Sequence, residues 1–312
     1  MNEAAFNTLV DILKQKIGYD LQVFSYFPIT KGNSYDSMVV NTNKGRYILK
    51  ILKKERDASS IINTVEATRL VAENHLEMPQ VVCYEAMSGS IYAPFIIQEF
   101  IEGEDFEQVS LCLDEEERIE CFYNIGLYLA KLHAIKGKTF SIDLIYSKTY
   151  PSWKEFLYDR IEKEFNFLKS SGVAEVSQLN KIREAFYEEV DYLPGNIIPV
   201  FVHRDIHPGN AILYKRKFIS FIDFEIAWFS DALWDFNKMQ VFFFNGFPKL
   251  RDALYDGYKL IANWFDDAER RLLLYKGFEY LWAIRSYYSD NDYNKIRFYK
   301  QNLLEWVKRV GQ

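Results

Sequence analysis

Ala5, Leu9, Ile12 and Leu13 recur at helical spacing and Gly18 follows as a C-cap, so residues 3–17 are predicted to form a short helix. The rhythm then turns to that of strands. Leu21 to Phe27 reads as a strand ending at Pro28, and residues 37–40 and 46–52 as two more, joined through Asn43-Lys44-Gly45 into a β-meander. Asp57 to Asn74 reads as a helix, and residues 78–84 and 91–101 complete a five-stranded sheet that Gly103 closes. From Asp114 the chain is helical. Asp114 is an N-cap with Glu117 at N3, and Ile119, Phe122, Gly126, Leu129 and Leu132 share one face until Gly137. Residues 151–170 and 178–190 are amphipathic and are broken by Ser170-Ser171-Gly172, giving a helical insert. Beyond Asp235 the helical pattern continues to the end.

Residues 201–225 break these patterns. Here acids, an amide and histidines alternate with apolar, strand-like runs. Val200 to Val202 is a short strand, after which His203-Arg204-Asp205 must leave it and Pro208-Gly209 must turn the chain. Ala211 to Tyr214 resumes an extended pattern, Lys215-Arg216-Lys217 makes a basic hairpin tip, and Phe218 to Ile222 returns. Such a hairpin holds Asp205, Asn210 and Asp223 on adjacent loop ends. Phosphoryl transfer uses that combination: one carboxylate to orient an acceptor hydroxyl and take its proton, a second carboxylate and an amide oxygen to hold magnesium on the phosphates. Asp205 fits the first role, and Asn210 with Asp223 the second. The plainer alternative makes both aspartates turn caps.

Composition narrows the class. A chain of 312 residues is long for one compact unit, which favours two lobes with a cleft between them. The formal net charge is −6, and no basic cluster exceeds Lys215-Arg216-Lys217, which argues against a nucleic-acid partner. Cys83, Cys112 and Cys121 lack the spacing of a disulfide framework or a zinc site. The N-terminus has no signal-peptide pattern, and no apolar stretch approaches the roughly 20 residues that cross a bilayer. No membrane role and a cytoplasmic location are expected.

The His203-x-Asp205-x-His207-x-Gly209-Asn210 segment, then Ile222-Asp223-Phe224-Glu225, then Asp231 to Asp235, resembles the aminoglycoside phosphotransferase and choline kinase-like branch of the protein-kinase fold. That resemblance implies an α+β, two-lobed architecture. Residues 1–101 would form a nucleotide-binding lobe, a five-stranded antiparallel sheet with a helix, and residues 102–312 a mostly helical catalytic and acceptor-binding lobe. It implies ATP or GTP as co-substrate, Mg2+, and a small hydroxylated acceptor. Arg204 departs from the small-molecule kinases, which commonly carry glycine there. Only a short segment separates Asp223 from Asp235, leaving no room for the activation loop of a protein kinase.

In this fold the loop Thr30 to Asp36 would cover the nucleotide phosphates, with Gly32 allowing close backbone approach and Ser34 offering a hydroxyl. Lys50 would contact phosphates and pair with Glu66; Glu66 pairing with Arg69 at i+3 is the alternative. Backbone groups of Gln98, Glu99, Phe100 and Ile101 would meet the adenine edge. His203 would support the catalytic loop by a bond to backbone near Asp223, while His207 either packs under the loop or approaches phosphate. Glu225 assists the metal aspartate, faces the acceptor, or is simply exposed. Asp235 fixes the catalytic loop from the following helix. Gly137-Lys138-Thr139 mimics the end of a phosphate-binding loop, but Leu132 stands where that motif needs glycine. His133 is most simply a helix C-terminal residue favoured by the dipole.

The expected function is therefore transfer of a nucleotide γ-phosphate to a hydroxyl of a small acceptor, such as an aminoglycoside, amino sugar or amino alcohol. A catalytically silent nucleotide-binding regulator and a protein kinase are the alternatives. Residues 102–200 carry 19 acids against 11 bases, which points to an amine on the acceptor. A solvated helix face explains the same excess.

Overall fold

The computed structural model describes residues 1–30, 34–53, 57–87, 93–173, 175–244 and 246–311. These group into two compact units, one of residues 1–114 with 208–227, the other of 115–207 with 228–312. Residues 102–114 and the hairpin 208–227 thus group with the N-terminal segment, beyond the expected division at residue 101.

The first unit opens with α1 (Glu3–Ile17). Asn2 caps it, its side chain accepting from Ala5 N at 2.9 Å, and Phe6, Leu9, Val10 and Leu13 form its buried stripe. That stripe packs on Val40, Tyr47, Leu49, Phe95 and Ile97 of the sheet. The sheet comprises β1 (Val23–Ile29), β2 (Tyr35–Thr42), β3 (Gly45–Leu52), β4 (Val81–Glu85) and β5 (Phe95–Glu99), all antiparallel, in the order β1-β2-β3-β5-β4. Contrary to expectation, β1 runs through Pro28, which pairs with Met38. It can do so because β1 is an edge strand, where a residue without an N–H leaves no neighbour unsatisfied. Helix α2 (Ser59–Glu73) follows β3.

A second, smaller sheet completes this unit: β6 (Glu104–Asp105), β10 (Ala211–Tyr214) and β11 (Lys217–Phe221), in the order β11-β10-β6. The short helix α3 (Phe106–Val109) follows β6. Lys215 and Arg216 turn the β10–β11 hairpin at φ 50° and 67°, the left-handed pair a two-residue turn requires. At Gly103 a Cβ would stand 2.4 Å from Leu213 O, so only glycine admits this approach of β10.

The second unit holds α4 (Glu115–Leu132), α5 (Trp153–Ser171), α6 (Val176–Asp191), α7 (Trp234–Phe242), α8 (Pro248–Lys259), α9 (Ala268–Ser289) and α10 (Tyr293–Val310). A small antiparallel sheet joins them: β7 (Phe140–Ser141), β8 (Thr149–Tyr150), β9 (Val200–Val202) and β12 (Trp228–Ser230), in the order β8-β7-β12-β9. Helices α4 and α8 touch backbone to backbone. A Cβ on Gly126 would lie 2.0 Å from Leu254 O, and one on Gly257 1.9 Å from Tyr123 O. The core is aromatic, with Trp153, Trp228, Trp234 and Tyr275 meeting edge to face or tilted. Among the described residues no helix is long and apolar enough to cross a membrane.

Candidate active site

In the first unit the β10–β11 hairpin fixes two of the expected site residues. Its register pairs Ala211 with Phe221, and Ile222 N donates to Asn210 O at 2.9 Å. Asn210 and Asp223 are thereby held at the hairpin's open end. Asp223 adopts φ 65°, a left-handed conformation that costs a non-glycine residue energy and is retained at functional sites.

Lys50, on β3 opposite Ile96, donates to Asp223 Oδ1 at 3.0 Å and lies 5.6 Å from the centre of the Tyr35 ring. Ser34 Oγ donates to Glu225 Oε1 at 3.0 Å. A cavity lined by Tyr35, Lys50, Thr64, Gln98, Asp223 and Glu225 brings together Lys50, Gln98, Asp223 and Glu225 of the residues expected around a nucleotide and its metal. Gly32 lies outside the described residues.

Two expectations are corrected. Lys50 pairs with Asp223, and Glu66 pairs with Arg69, whose Nε and Nη2 reach its two oxygens at 2.9 and 2.6 Å. Residues three apart on one helix are already neighbours, so that contact forms with little further ordering. Helix α2 instead presents Asn63, one turn earlier: its Nδ2 donates to Glu225 O at 3.1 Å and Ala227 O at 2.8 Å. Along residues 98–101, Glu99 N donates to Gln80 O at 2.8 Å and Phe100 N to Arg46 O at 2.9 Å. Those two amides are committed within the unit, so the adenine-facing donors expected from this segment cannot include them. Gln98 is buried and Ile101 follows the strand.

In the second unit the loop carrying Asp205 is pinned from α7. Asp235 Oδ2 accepts from His203 N at 2.9 Å and Oδ1 from Arg204 N at 2.6 Å. The ring of His133, at the end of α4, braces the same carboxylate. Its Nε2 lies 3.1 Å from Asp235 Oδ2 and its Nδ1 3.1 Å from the Tyr258 hydroxyl. A ring nitrogen facing a carboxylate donates. His203 Nδ1 in turn accepts from Asp205 N at 3.2 Å, so the loop is also held from within.

Asp205 itself sits between Lys238 and His207. Lys238 of α7 donates to its Oδ1, and His207 Nε2 stands 3.7 Å from its Oδ2. Burial alone would push this carboxyl up, but His207 and the charge of Lys238 hold it well below the usual carboxylate range. It is ionised throughout the neutral range. Neither Lys238 nor His133 was singled out by sequence reasoning as a site residue. The signal for Lys238 is its spacing three residues after Asp235 on one helix; for His133 the sequence carries none.

Further anchoring surrounds Asp231. Its Oδ2 accepts from Arg271 Nη1 at 2.8 Å and from the Tyr275 hydroxyl, and its Oδ1 from Leu233 N at 3.0 Å. Trp153 Nε1 donates to the same phenol oxygen at 2.7 Å. This buried network ties α5 and α9 to the segment that leads into α7.

As for magnesium, Asp223 and Asn210 offer one carboxylate and one amide oxygen. Both are hard donors on one rigid hairpin, a set that suits an ion keeping waters and phosphate oxygens as its remaining ligands. Among the described residues no cluster of three or more His, Cys, Asp or Glu forms an all-protein metal cage.

Known proteins share this arrangement at the level of fold. The structure matches that of APH(2″)-IIa in its streptomycin–ATP ternary complex with a TM-score of 0.68 and 20% identity, covering 98% of this chain and 97% of that one. It matches the aminoglycoside phosphotransferase APH(4)-Ia with a TM-score of 0.71 and 14% identity, covering 98% and 99%. In sequence, a homoserine kinase of Sinorhizobium fredii (strain NBRC 101917 / NGR234) is 23% identical over 209 residues, which are 65% of this chain and 58% of that protein's length. The profile described as the phosphotransferase enzyme family, APH, matches residues 26–273, from β1 into α9 and across every motif described above. The chain belongs to that family.

Proposed function

We propose that this protein transfers the γ-phosphoryl group of ATP to a hydroxyl of a small molecule. The observation that carries the reading is Asp205: a carboxylate kept ionised by Lys238 and His207, on a loop whose backbone is pinned by Asp235. In the reaction Asp205 orients the acceptor hydroxyl and takes its proton as the oxygen attacks phosphorus, and the nucleoside diphosphate leaves. Lys50 contacts the nucleotide phosphates, exchanging its present partner Asp223 for them. Asp223 and Asn210 would hold Mg2+, which would supply positive charge to the phosphates. Ser34 and Glu225 support that side, and Gln98 with the Ile101 backbone faces the base. ATP is favoured because a structural neighbour is described in complex with it; GTP is the nucleotide to test against it.

Two acceptor classes follow from the relatives: aminoglycosides, as in the named neighbours, and a hydroxy amino acid, as in the homoserine kinase. A nucleotide-consumption assay across aminoglycosides, amino alcohols, sugars and hydroxy acids tests the reading. Turnover with at least one acceptor, lowered about 10²-fold or more by Asp205→Asn with nucleotide affinity retained, is the expected result. Nucleotide binding without turnover on any acceptor would favour a silent regulator.

A further inference from the structure

We propose that Arg160 and Arg204 form a carboxylate-binding subsite, so that the acceptor is a small hydroxy acid, side-chain-hydroxyl amino acids included. This inference rests on the kinase reading above and names the substrate class that reading leaves open.

The subsite is a cavity of about 20 Å³ within the second unit, lined by Arg160, Glu164, Arg204, Glu279 and the rings of Trp234 and Trp282. A cavity needs roughly 10–15 Å³ to hold one water. This one therefore takes a headgroup of a few atoms and not a sugar ring.

Its two guanidiniums are arranged for an anion. The Arg204 guanidinium lies over the Trp228 and Trp282 rings, 4.2 and 4.8 Å from their centres, and Arg160 lies 5.7 Å from the same Trp228 ring. A ring–cation contact does not consume the N–H donors of a guanidinium, which can grip a carboxylate with two parallel bonds. Among the described residues neither side chain makes an ion pair or hydrogen bond. Glu164, the nearest candidate, is taken by Arg285, whose Nη1 donates to both its oxygens at 3.2 Å.

Two adjacent, largely buried cations repel one another. Burial, and next the charge of Arg160, bring the Arg204 guanidinium down to about 9. Glu279 offsets this weakly near neutrality, because burial pushes its carboxyl up to about 7. An anion docking here relieves the repulsion. A single negative charge suits the site better than a phosphate dianion, which would face Glu164 and Glu279 as well. Those same acids are of the sign that an α-ammonium group would meet.

Position links the subsite to chemistry. Arg204 immediately precedes Asp205, and at φ 72° it holds a backbone conformation that a long side chain adopts at a cost. The Asp205 charge acts on both the Arg204 guanidinium and Glu279, which puts the cavity near the proposed base and suits an acceptor whose hydroxyl is a few bonds from its carboxylate.

The test uses the full chain with MgATP and matched acceptors: serine and homoserine against the amino diols in which a hydroxymethyl group replaces the carboxylate, and a hydroxybutyrate against the matching butanediol. At least one acid is expected to exceed its diol by about 10²-fold or more in kcat/KM. Arg160→Leu is expected to raise KM for that acid about 10-fold or more, the worth of a charge-assisted hydrogen bond, with kcat little changed and the diol unaffected. Arg160→Lys should recover part of the loss. Equal kcat/KM on acids and diols, or aminoglycosides and sugars as the only substrates, overturns the subsite while the kinase reading stands. If no compound in either panel consumes nucleotide, the reading falls and the subsite with it. Should Arg160→Leu fail to fold, the wild-type comparison of acid with diol decides alone.

Discussion

Lys238 donates to Asp205 from the same helix whose Asp235 pins the Asp205 loop. One turn of α7 therefore sets both the position and the charge of the carboxylate. Lys238→Met should move the acid limb of the pH–rate profile upward, because the lysine charge that opposes the effect of burial is gone. The sign for stability follows. Since the folded pKa lies below the ordinary value of about 3.9, stabilisation from this pair is complete above that pH and is lost as pH falls toward the folded value. Wild-type turnover that already falls between pH 6 and 5 through a group that disappears in Asp205→Asn would contradict the assignment.

Lys50→Met and Asp223→Asn should be non-additive in nucleotide affinity, since each breaks the same ion pair. Lys50→Met combined with Glu66→Gln should add to within about 0.5 kcal/mol. The cycle is read by calorimetry, and a large coupling between Lys50 and Glu66 would place the pair where sequence reasoning first put it.

Gly126→Ala and Gly257→Ala should each lower the melting temperature and cost roughly 1–3 kcal/mol or more, because the added Cβ meets backbone that cannot move aside. Gly195→Ala, with nothing within 4 Å, is the control and should be nearly neutral. Equal effects at all three would mean that α4 and α8 are not in this contact.

Asp231→Ala should destabilise the fold by about 1–3 kcal/mol, since it leaves the buried Tyr275 hydroxyl without its acceptor and Arg271 with Asp267 alone. Urea unfolding monitored by tryptophan fluorescence reads this directly. A loss under 1 kcal/mol would show the network to be dispensable.

Glu279 has the opposite pH dependence to Asp205. Its folded value of about 7 exceeds the ordinary glutamate value of about 4.3, despite Lys238, Arg204 and Asn237, which favour the charged form. Stability should therefore fall as pH rises from about 4 to 7, and Glu279→Gln should flatten that slope. A variant with the wild-type slope would remove Glu279 from this role.

The hydrophobic periodicity of the strands and helices was legible because burial imposes it on the sequence, and so was the 201–225 segment, where chemistry is concentrated. The five-stranded sheet and the helical remainder both follow from it. What escaped was pairing at a distance. Nothing local distinguishes Asn63 from Glu66 as the residue of α2 that reaches the 225–227 backbone, and nothing near His133 announces Asp235, 102 residues away. Lys50 also shows the limit of spacing arguments: a strand lysine needs an anion, but Asp223 and Glu66 are equally acidic on paper, and only the hairpin's conformation brings Asp223 to it. Arg204 was seen as a departure, whereas its place over the Trp228 and Trp282 rings depended on residues elsewhere in the chain.

The interleaving of the two units bears on how the chain is made. Strand β6 at residues 104–105 has its partner in β10 at 211–214, and the first unit takes up residues 208–227. A ribosome delivering the chain from its N-terminus supplies the large sheet early, then more than ninety residues of the other unit, before the hairpin with Asn210 and Asp223 emerges. Loop closure across that gap is slow relative to local folding. The nascent first unit must therefore wait, with the β6 edge and the Gly103 approach uncovered, and a fragment ending at residue 114 would carry that exposed edge permanently.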